Sequence, residues 1–394
     1  MRIALILNFF YKYTAKEKIK SGPIALLTSS IGFNPSPESR MKDSRMLLYR
    51  GTILRTFCIA GVLAMVLLGC LPGARQAAVD PQPGGSEISE LEKVQIGGVD
   101  QWLFSQGKNR NNPVLLILHG GPGAGSIGFA RYFYTELEKQ FIVVNWDQRG
   151  AGKSYSLFMS DVTPETYLSD TREVILFLKR KFNVPKIYLM GHSWGGYLGA
   201  IVANRHPKDL FAYIGIGPVV DGEQSVAVSY KFVLENGRKN PEISDRVKDL
   251  TEEEYLKNRR FWLNRFGAGL FHDIQRYDED KFLRGLMENS PEYSIFDMIT
   301  YLPGIWRSSS RIRPYFFQMN LFKQAPSIQV PVYFFTGKYD YYNPEEILVK
   351  YVDGLEAPKK TFYSFECCAH APHFEAIVDF AEQMKLVKLN TFKK

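Results

Sequence analysis

The feature that most constrains this chain is the hexapeptide Gly191-His192-Ser193-Trp194-Gly195-Gly196. It completes a β-rich run, KIYLMGHS (186–193), and opens a stretch with helical spacing, residues 194–206. A serine in that place occupies a tight strand-to-helix turn that pushes its hydroxyl clear of the backbone, and the flanking glycines leave room for the crowded turn. Gly195, Gly196, Gly199 and Ala200 also let the following helix lie close to the strand layer. Such a turn belongs to a sheet whose strands alternate with helices.

Other parts of the sequence supply that sheet. VLLILHG (114–120), FIVVNWD (141–147), AYIGIGP (212–218), VPVYFFTG (330–337) and KTFYSFE (360–366) are continuous apolar runs, as expected of strands covered on both faces. Two short strands are expected ahead of them, from about Ser89. A helix is expected over 163–182, capped by Thr163 with Pro164 in its first turn and Glu165 behind it. The alternation stops between about 220 and 325, where VAVSYKFVLENG, EEEYLKNRRFWLNRF and DEDKFLRGLMEN read as helices with no strand among them. This is an inserted helical lid, with 89–219 and 326–394 forming the α/β core, a mostly parallel central sheet with helices on both faces. Most of the lid's aromatics, among them Tyr230, Trp262, Phe271 and Trp306, are expected to pack it onto the sheet, and a few to line a pocket.

A serine hydroxyl is a weak nucleophile at neutral pH and needs a base, which in turn needs an acid to hold its tautomer. Asp340 follows the strand run VPVYFFTG, and His370 follows KTFYSFE in the phrase ECCAHAPHFE, giving the chain order Ser193, Asp340, His370. His373 rivals His370, but reads as the start of a helix behind Pro372. Asp353 rivals Asp340, but falls on or beyond the intervening helix. A tetrahedral intermediate also needs two N–H donors aimed at its oxyanion. The backbone N–H groups of Gly121, in His119-Gly120-Gly121-Pro122-Gly123, and of Trp194 are the candidates. His119 and His192 read as residues that fix loops by hydrogen bonding.

Taken together, HGGPG (119–123), DQRGAGKS (147–154) and GHSWGG resemble the proline iminopeptidase-like branch of the α/β-hydrolase superfamily, over about residues 89–394. The resemblance implies the α/β-hydrolase fold and acyl transfer by a serine triad, with no metal or organic cofactor. It implies a small amide or ester substrate, such as a short peptide with an N-terminal proline. A lid-covered carboxylesterase is the alternative, and a non-catalytic binding protein on the same fold a third reading. In that branch, acids of the lid hold the substrate's free amino terminus. Asp221, Glu223 and Glu252 to Glu254 are the candidates here, with a solvated charge run as the competing reading. Serine rather than aspartate at residue 193 argues against epoxide hydrolase and dehalogenase chemistry.

Two phosphate-loop patterns compete for the glycines. Residues 123–128 match GxGxxG, with Asp147 ending the next strand, but Pro122 displaces the first glycine from the strand end. Residues 150–154 end like a phosphate loop but have Asp147 where the leading glycine is required. Asp147 and Arg149 are expected instead to brace the loops around the site.

Charge and cysteine usage place the chain in the cell. Residues 1–69 hold 10 Lys/Arg and 3 Asp/Glu, so seven of the eight formal positive charges lie there and the remainder offers no net attraction for nucleic acid. Arg45, Arg50 and Arg55 precede the apolar run TFCIAGVLAMVLLGC, which is signal-peptide architecture. Its end, Leu67-Leu68-Gly69-Cys70, resembles a bacterial lipobox, implying lipid attachment at Cys70 and a membrane-anchored lipoprotein of the bacterial cell envelope, or otherwise a secreted protein. Met41 or Met46 gives a more ordinary leader start. Residues 70–88, rich in Pro, Gly and small side chains, read as a tether. Cys367 and Cys368 are adjacent, too close for an unstrained disulfide, and no second Cys/His cluster completes a metal site with them.

Overall fold

The computed structural model describes residues 86–159 and 162–392. The expected leader, the lipid-attachment residue Cys70 and the tether up to residue 85 lie outside them.

Eight strands form one sheet in the order β1-β2-β4-β3-β5-β6-β7-β8. They are β1 (Ile88–Ile96), β2 (Val99–Gly107), β3 (Val114–Leu118), β4 (Ile142–Asp147), β5 (Ile187–His192), β6 (Leu210–Ile216), β7 (Val332–Gly337) and β8 (Lys360–Phe365). β1 and β2 form a nine-residue antiparallel hairpin, longer than the short pair expected, and β2 is antiparallel to β4; all other pairings are parallel. Every residue of β3, β4 and β7 is buried, the reason their sequences show no polar alternation.

Helices cover both faces. α1 (Pro164–Lys181) begins at Thr163, whose side chain accepts from Thr166 N while the Thr166 side chain accepts from Thr163 N, and Pro164 stands in the first turn. α2 (Trp194–Arg205) follows β5 directly. Between β6 and β7 the named elements are helical, including α3 (Gly222–Arg238), α4 (Glu279–Glu288) and α5 (Ile295–Ile312). α6 (Glu345–Gly354) and α7 (Ile377–Thr391) complete the layers.

The topology explains where a site forms. From β3 the chain crosses to β4 on one side and later to β5 on the other, so the loops leaving β3 and β5 diverge and open a crevice at their carboxyl ends. Register then levels the strand ends. Leu118 stands opposite Gly191, His192 opposite Ile216, Ile216 opposite Phe335, and Gly337 opposite Phe365. The loops after β3, β5, β7 and β8 therefore emerge side by side.

Candidate active site

Ser193 is the turn residue between β5 and α2, with φ 56° and ψ −115°. A side chain pays strain to hold this backbone, and the surroundings enforce it. A Cβ on Gly191 would collide with the Gly195 carbonyl, and one on Gly195 with the Leu118 carbonyl, so only glycines permit the close backbone approach. Ser193 N donates to Ile216 O at 2.9 Å, and Ser193 O accepts from Tyr197 N at 3.1 Å, tying the turn to β6 and to the first turn of α2. The Ser193 side chain is half-buried at the crevice.

Asp340 and His370 meet across the loops after β7 and β8, His370 Nδ1 donating to Asp340 Oδ2 at 2.8 Å. Both are buried. Asp340 Oδ1 accepts from Asn343 N at 2.9 Å, and Asn343 Nδ2 donates to Gly217 O at 2.7 Å, so the carboxylate is fixed at both oxygens. The Tyr342 ring lies 5.2 Å from that of His370. The rivals lie where their sequence contexts put them: Asp353 in α6, and His373 in the short helix Pro372–Glu375.

Ser193 is brought to this pair through the residues beside it. His192 Nε2 donates to His370 O at 2.9 Å, and the His192 ring stands 4.6 Å from the His370 ring. Gly217, one residue beyond the Ser193 partner Ile216, lies against Asp340 and His370 Nδ1. His192 and His373 are held neutral: burial, with the neighbouring histidine charges, pulls His192 well below the usual range, and burial pulls His373 down to about 3. Of these three histidines, His370 is the one paired with a carboxylate.

The glycine loop after β3 closes the other side. Gly120 lies against Ser193 Cβ and the His192 ring. His119 Nδ1 donates to Gly120 O at 2.8 Å while its Nε2 accepts from Gln148 N at 3.1 Å, and burial lowers its pKa to about 4. His119 is thus a neutral loop-fixing residue. Gln148 Nε2 donates to His119 O at 3.1 Å and its Oε1 accepts from Trp194 Nε1 at 3.2 Å. One amide side chain thereby joins the loop bearing Gly121 to the first residue of α2. Trp194 N–H, at that helix start, lies among the donors with no intrahelical acceptor. Sequence reasoning singled out Gly121 and Trp194 but missed Gln148 and Asn343; their signals were their places, directly after Asp147 and three residues after Asp340.

Asp147 braces the surrounding loops. Its oxygens accept from Ser126 N (2.8 Å), Ile127 N (3.1 Å), Lys153 N (2.9 Å) and the Tyr293 hydroxyl (2.8 Å). Burial nevertheless pushes its pKa up to about 6. Tyr293 packs against Gly125, Gly128 and Gly152, filling with a lid side chain the space a nucleotide phosphate would need in either glycine pattern. Arg149 forms a buried two-pronged ion pair with Asp170, at 2.8 Å for each contact.

The lid acids singled out from sequence are engaged elsewhere. Asp221 caps α3 and accepts from Asn320 Nδ2, Glu223 is exposed, Glu254 forms a capping box with Thr251, Glu253 pairs with Lys257, and Glu252 is exposed. Glu279, at the start of α4, is instead linked to the His370 loop through Asn264. It accepts from Asn264 Nδ2 at 2.8 Å and pairs with Arg260; Asn264 packs on Gly269, whose carbonyl accepts from His370 N. The Cys367 and Cys368 sulfurs lie 3.2 Å apart as thiols.

A carboxylate-held imidazole and a serine whose neighbour His192 bonds the imidazole's own backbone, set against a glycine loop and a helix N-terminus, are equipped for nucleophilic acyl transfer. Comparison with known proteins agrees. A family model described as the alpha/beta hydrolase fold matches residues 113–377. A Bacillus subtilis protein, "Probable aminopeptidase YbaC", is 33% identical over 308 residues, covering 77% of this chain and 97% of that one. Among solved structures, a proline iminopeptidase-related protein from Thermus thermophilus matches with a TM-score of 0.56 at 20% identity, over 77% of this chain and 98% of its own. A proline iminopeptidase from Mycobacterium smegmatis matches with a TM-score of 0.54 at 18% identity, over 77% and 100%. These two structural likenesses concern the fold.

Proposed function

The chain belongs to the alpha/beta hydrolase fold family, and from that premise we propose that it is a serine hydrolase releasing the N-terminal residue, proline among others, from short peptides. The observation that carries the mechanism is the 2.8 Å contact between His370 Nδ1 and Asp340 Oδ2, set beside a serine at a strained strand-to-helix turn. His370 takes the Ser193 proton as the hydroxyl oxygen attacks the scissile carbonyl. Asp340 holds the imidazole in the tautomer that leaves Nε2 free to accept. The N–H groups of Gly121 and Trp194 receive the oxyanion. His370 then passes its proton to the leaving amine, an acyl-enzyme forms, and water deprotonated by His370 releases the acid.

The peptidase reading is supported by the aminopeptidase name of the Bacillus subtilis relative. We assign the substrate ammonium to Glu279, which pairs with Arg260, itself also paired with Asp280. An esterase is the second reading, favoured by the many apolar side chains that the lid exposes. Hydrolysis of Pro-amide, Ala-amide and butyryl-ester reporters, with Ser193→Ala in parallel, separates the two. Serine-dependent cleavage of the free-amino Pro-amide supports the peptidase, and ester cleavage alone replaces it with the esterase. In the peptidase, Glu279→Gln raises KM for the free-amino amide at least tenfold and leaves the ester reporter unchanged.

We also propose, on the Leu67-Leu68-Gly69-Cys70 motif, that Cys70 is acylated and holds the enzyme at the bacterial cell envelope. Intact mass of the mature protein tests it: a chain beginning at Cys70 with added acyl mass is the expected result, and an unmodified chain rejects it.

A further inference from the structure

α5 carries apolar side chains on its outward as well as its inward face. Its inner face packs into the molecule through Tyr301, Gly304, Ser308 and Ile312, and its backbone at Gly304 and Ile305 lies against Gly123 of the glycine loop. Its outer face carries Ile295, Ile299, Leu302 and Trp306, at helical spacing within one narrow stripe, with Phe296 beside it. These side chains are exposed, Leu302 to 63% and Trp306 to 70%. The stripe continues onto the loop after β4, where Leu157 is 63% and Phe158 94% exposed. Arg307 Nη1 ties the two together, donating to Leu157 O at 2.8 Å and to Ser156 O at 3.3 Å.

A contiguous apolar surface of this kind is a binding surface, since water gains nothing by wetting it. The charges around it select the occupant. Between Ile295 and Gln318 the one acidic residue is Asp297, which is buried and paired with Lys153 at 3.0 Å. Arg307, Arg311 and Arg313 are the other charged residues of that segment; Arg307 donates to backbone carbonyls, which leave its charge intact, and Arg313 is exposed. A second copy docked by twofold symmetry would bring these arginines against their own kind. An anionic bilayer surface accepts the apolar stripe into its acyl boundary and the guanidinium groups at its headgroups.

We propose that the outer face of α5, with Leu157 and Phe158, is a bilayer-docking surface. The helix lies flat on the membrane, with its opposite face against the glycine loop, so that the catalytic crevice is held about one helix diameter, roughly 10 Å, from the lipid. This surface is separate from acylation at Cys70 and stands without it.

Trp306 provides the test. Trp146, Trp194 and Trp262 are buried and Trp102 is partly covered, so Trp306 is the one exposed indole among the described residues. The full chain is mixed with vesicles of phosphatidylethanolamine and phosphatidylglycerol bearing brominated acyl chains, and tryptophan emission is recorded. Docking gives quenching that disappears in Trp306→Phe and that Ile299→Asp/Leu302→Asp lowers at least tenfold in apparent lipid affinity. Both variants alter outward-facing side chains and keep wild-type hydrolysis of a small soluble reporter. Sedimentation with vesicles but without Trp306-dependent quenching shows the leader alone holding lipid, and overturns the proposal. A dimer in sedimentation analysis that the double substitution dissolves overturns it in favour of a second copy.

Discussion

Ser193 holds φ 56° and ψ −115° because Gly191 and Gly195 bring three backbone segments together around it, and this conformation stores strain of about 1–3 kcal/mol. Glycine at this position relieves the strain while costing up to about 1 kcal/mol in unfolded-chain entropy. Ser193→Gly is therefore expected to unfold at a urea concentration equal to or above wild type, with turnover at background. A lower midpoint means that the turn is not strained. In the proposed mechanism Asp340 acts by orienting His370. Asp340→Asn presents an amide where the imidazole N–H needs an acceptor, and kcat falls by about 10³–10⁴ with KM nearly unchanged. A loss below tenfold would assign the orienting role elsewhere. These residues were legible because each ends a recognisable strand run. Asn343 and Gln148 were not, since a hydrogen bond to Gly217 O or Trp194 Nε1 leaves no mark in local sequence.

At the scale of elements, the strands and their order of use followed from apolar runs, and α1 from Thr163 and Pro164. The seating of the lid did not. Tyr293 reaches Asp147 across 146 positions of sequence, and α5 rests on Gly123 at a distance only the folded chain defines. Tyr293→Phe removes one of the four donors to a buried carboxylate and leaves the ring in place. The expected loss is about 1–3 kcal/mol of stability by urea denaturation, together with a fall in kcat as the loops that Asp147 braces loosen. Unchanged stability would mean that water replaces the hydroxyl.

For the whole molecule, the buried imidazoles couple folding to pH. His373 titrates near 3 in the folded chain and near 6.5 when unfolded, so below 6.5 the unfolded state binds the extra proton. Its contribution is complete above pH 6.5 and is lost as pH falls toward 3. Between pH 7 and 5 wild type is expected to lose about 2 kcal/mol more than His373→Phe, read from urea midpoints at the two values. Equal losses would mean that the folded ring takes up its proton in the ordinary histidine range. The comparison of two proteins cancels opposing groups such as Asp147, whose raised pKa acts in the other direction.

The sequence by itself determined the strand–helix alternation, the place of Ser193 and the order Ser193, Asp340, His370, because these depend on constraints a few residues long: apolar runs, glycines at fixed offsets, a cap. Only the tertiary structure decided that Glu279 is linked through Asn264 to the His370 loop while Glu252 to Glu254 serve a helix start and the surface, that His119 and His192 are neutral struts, and that α5 turns an apolar stripe outward. Those facts arise from side chains meeting across long stretches of chain, where burial and partner geometry, rather than residue type, set charge and role.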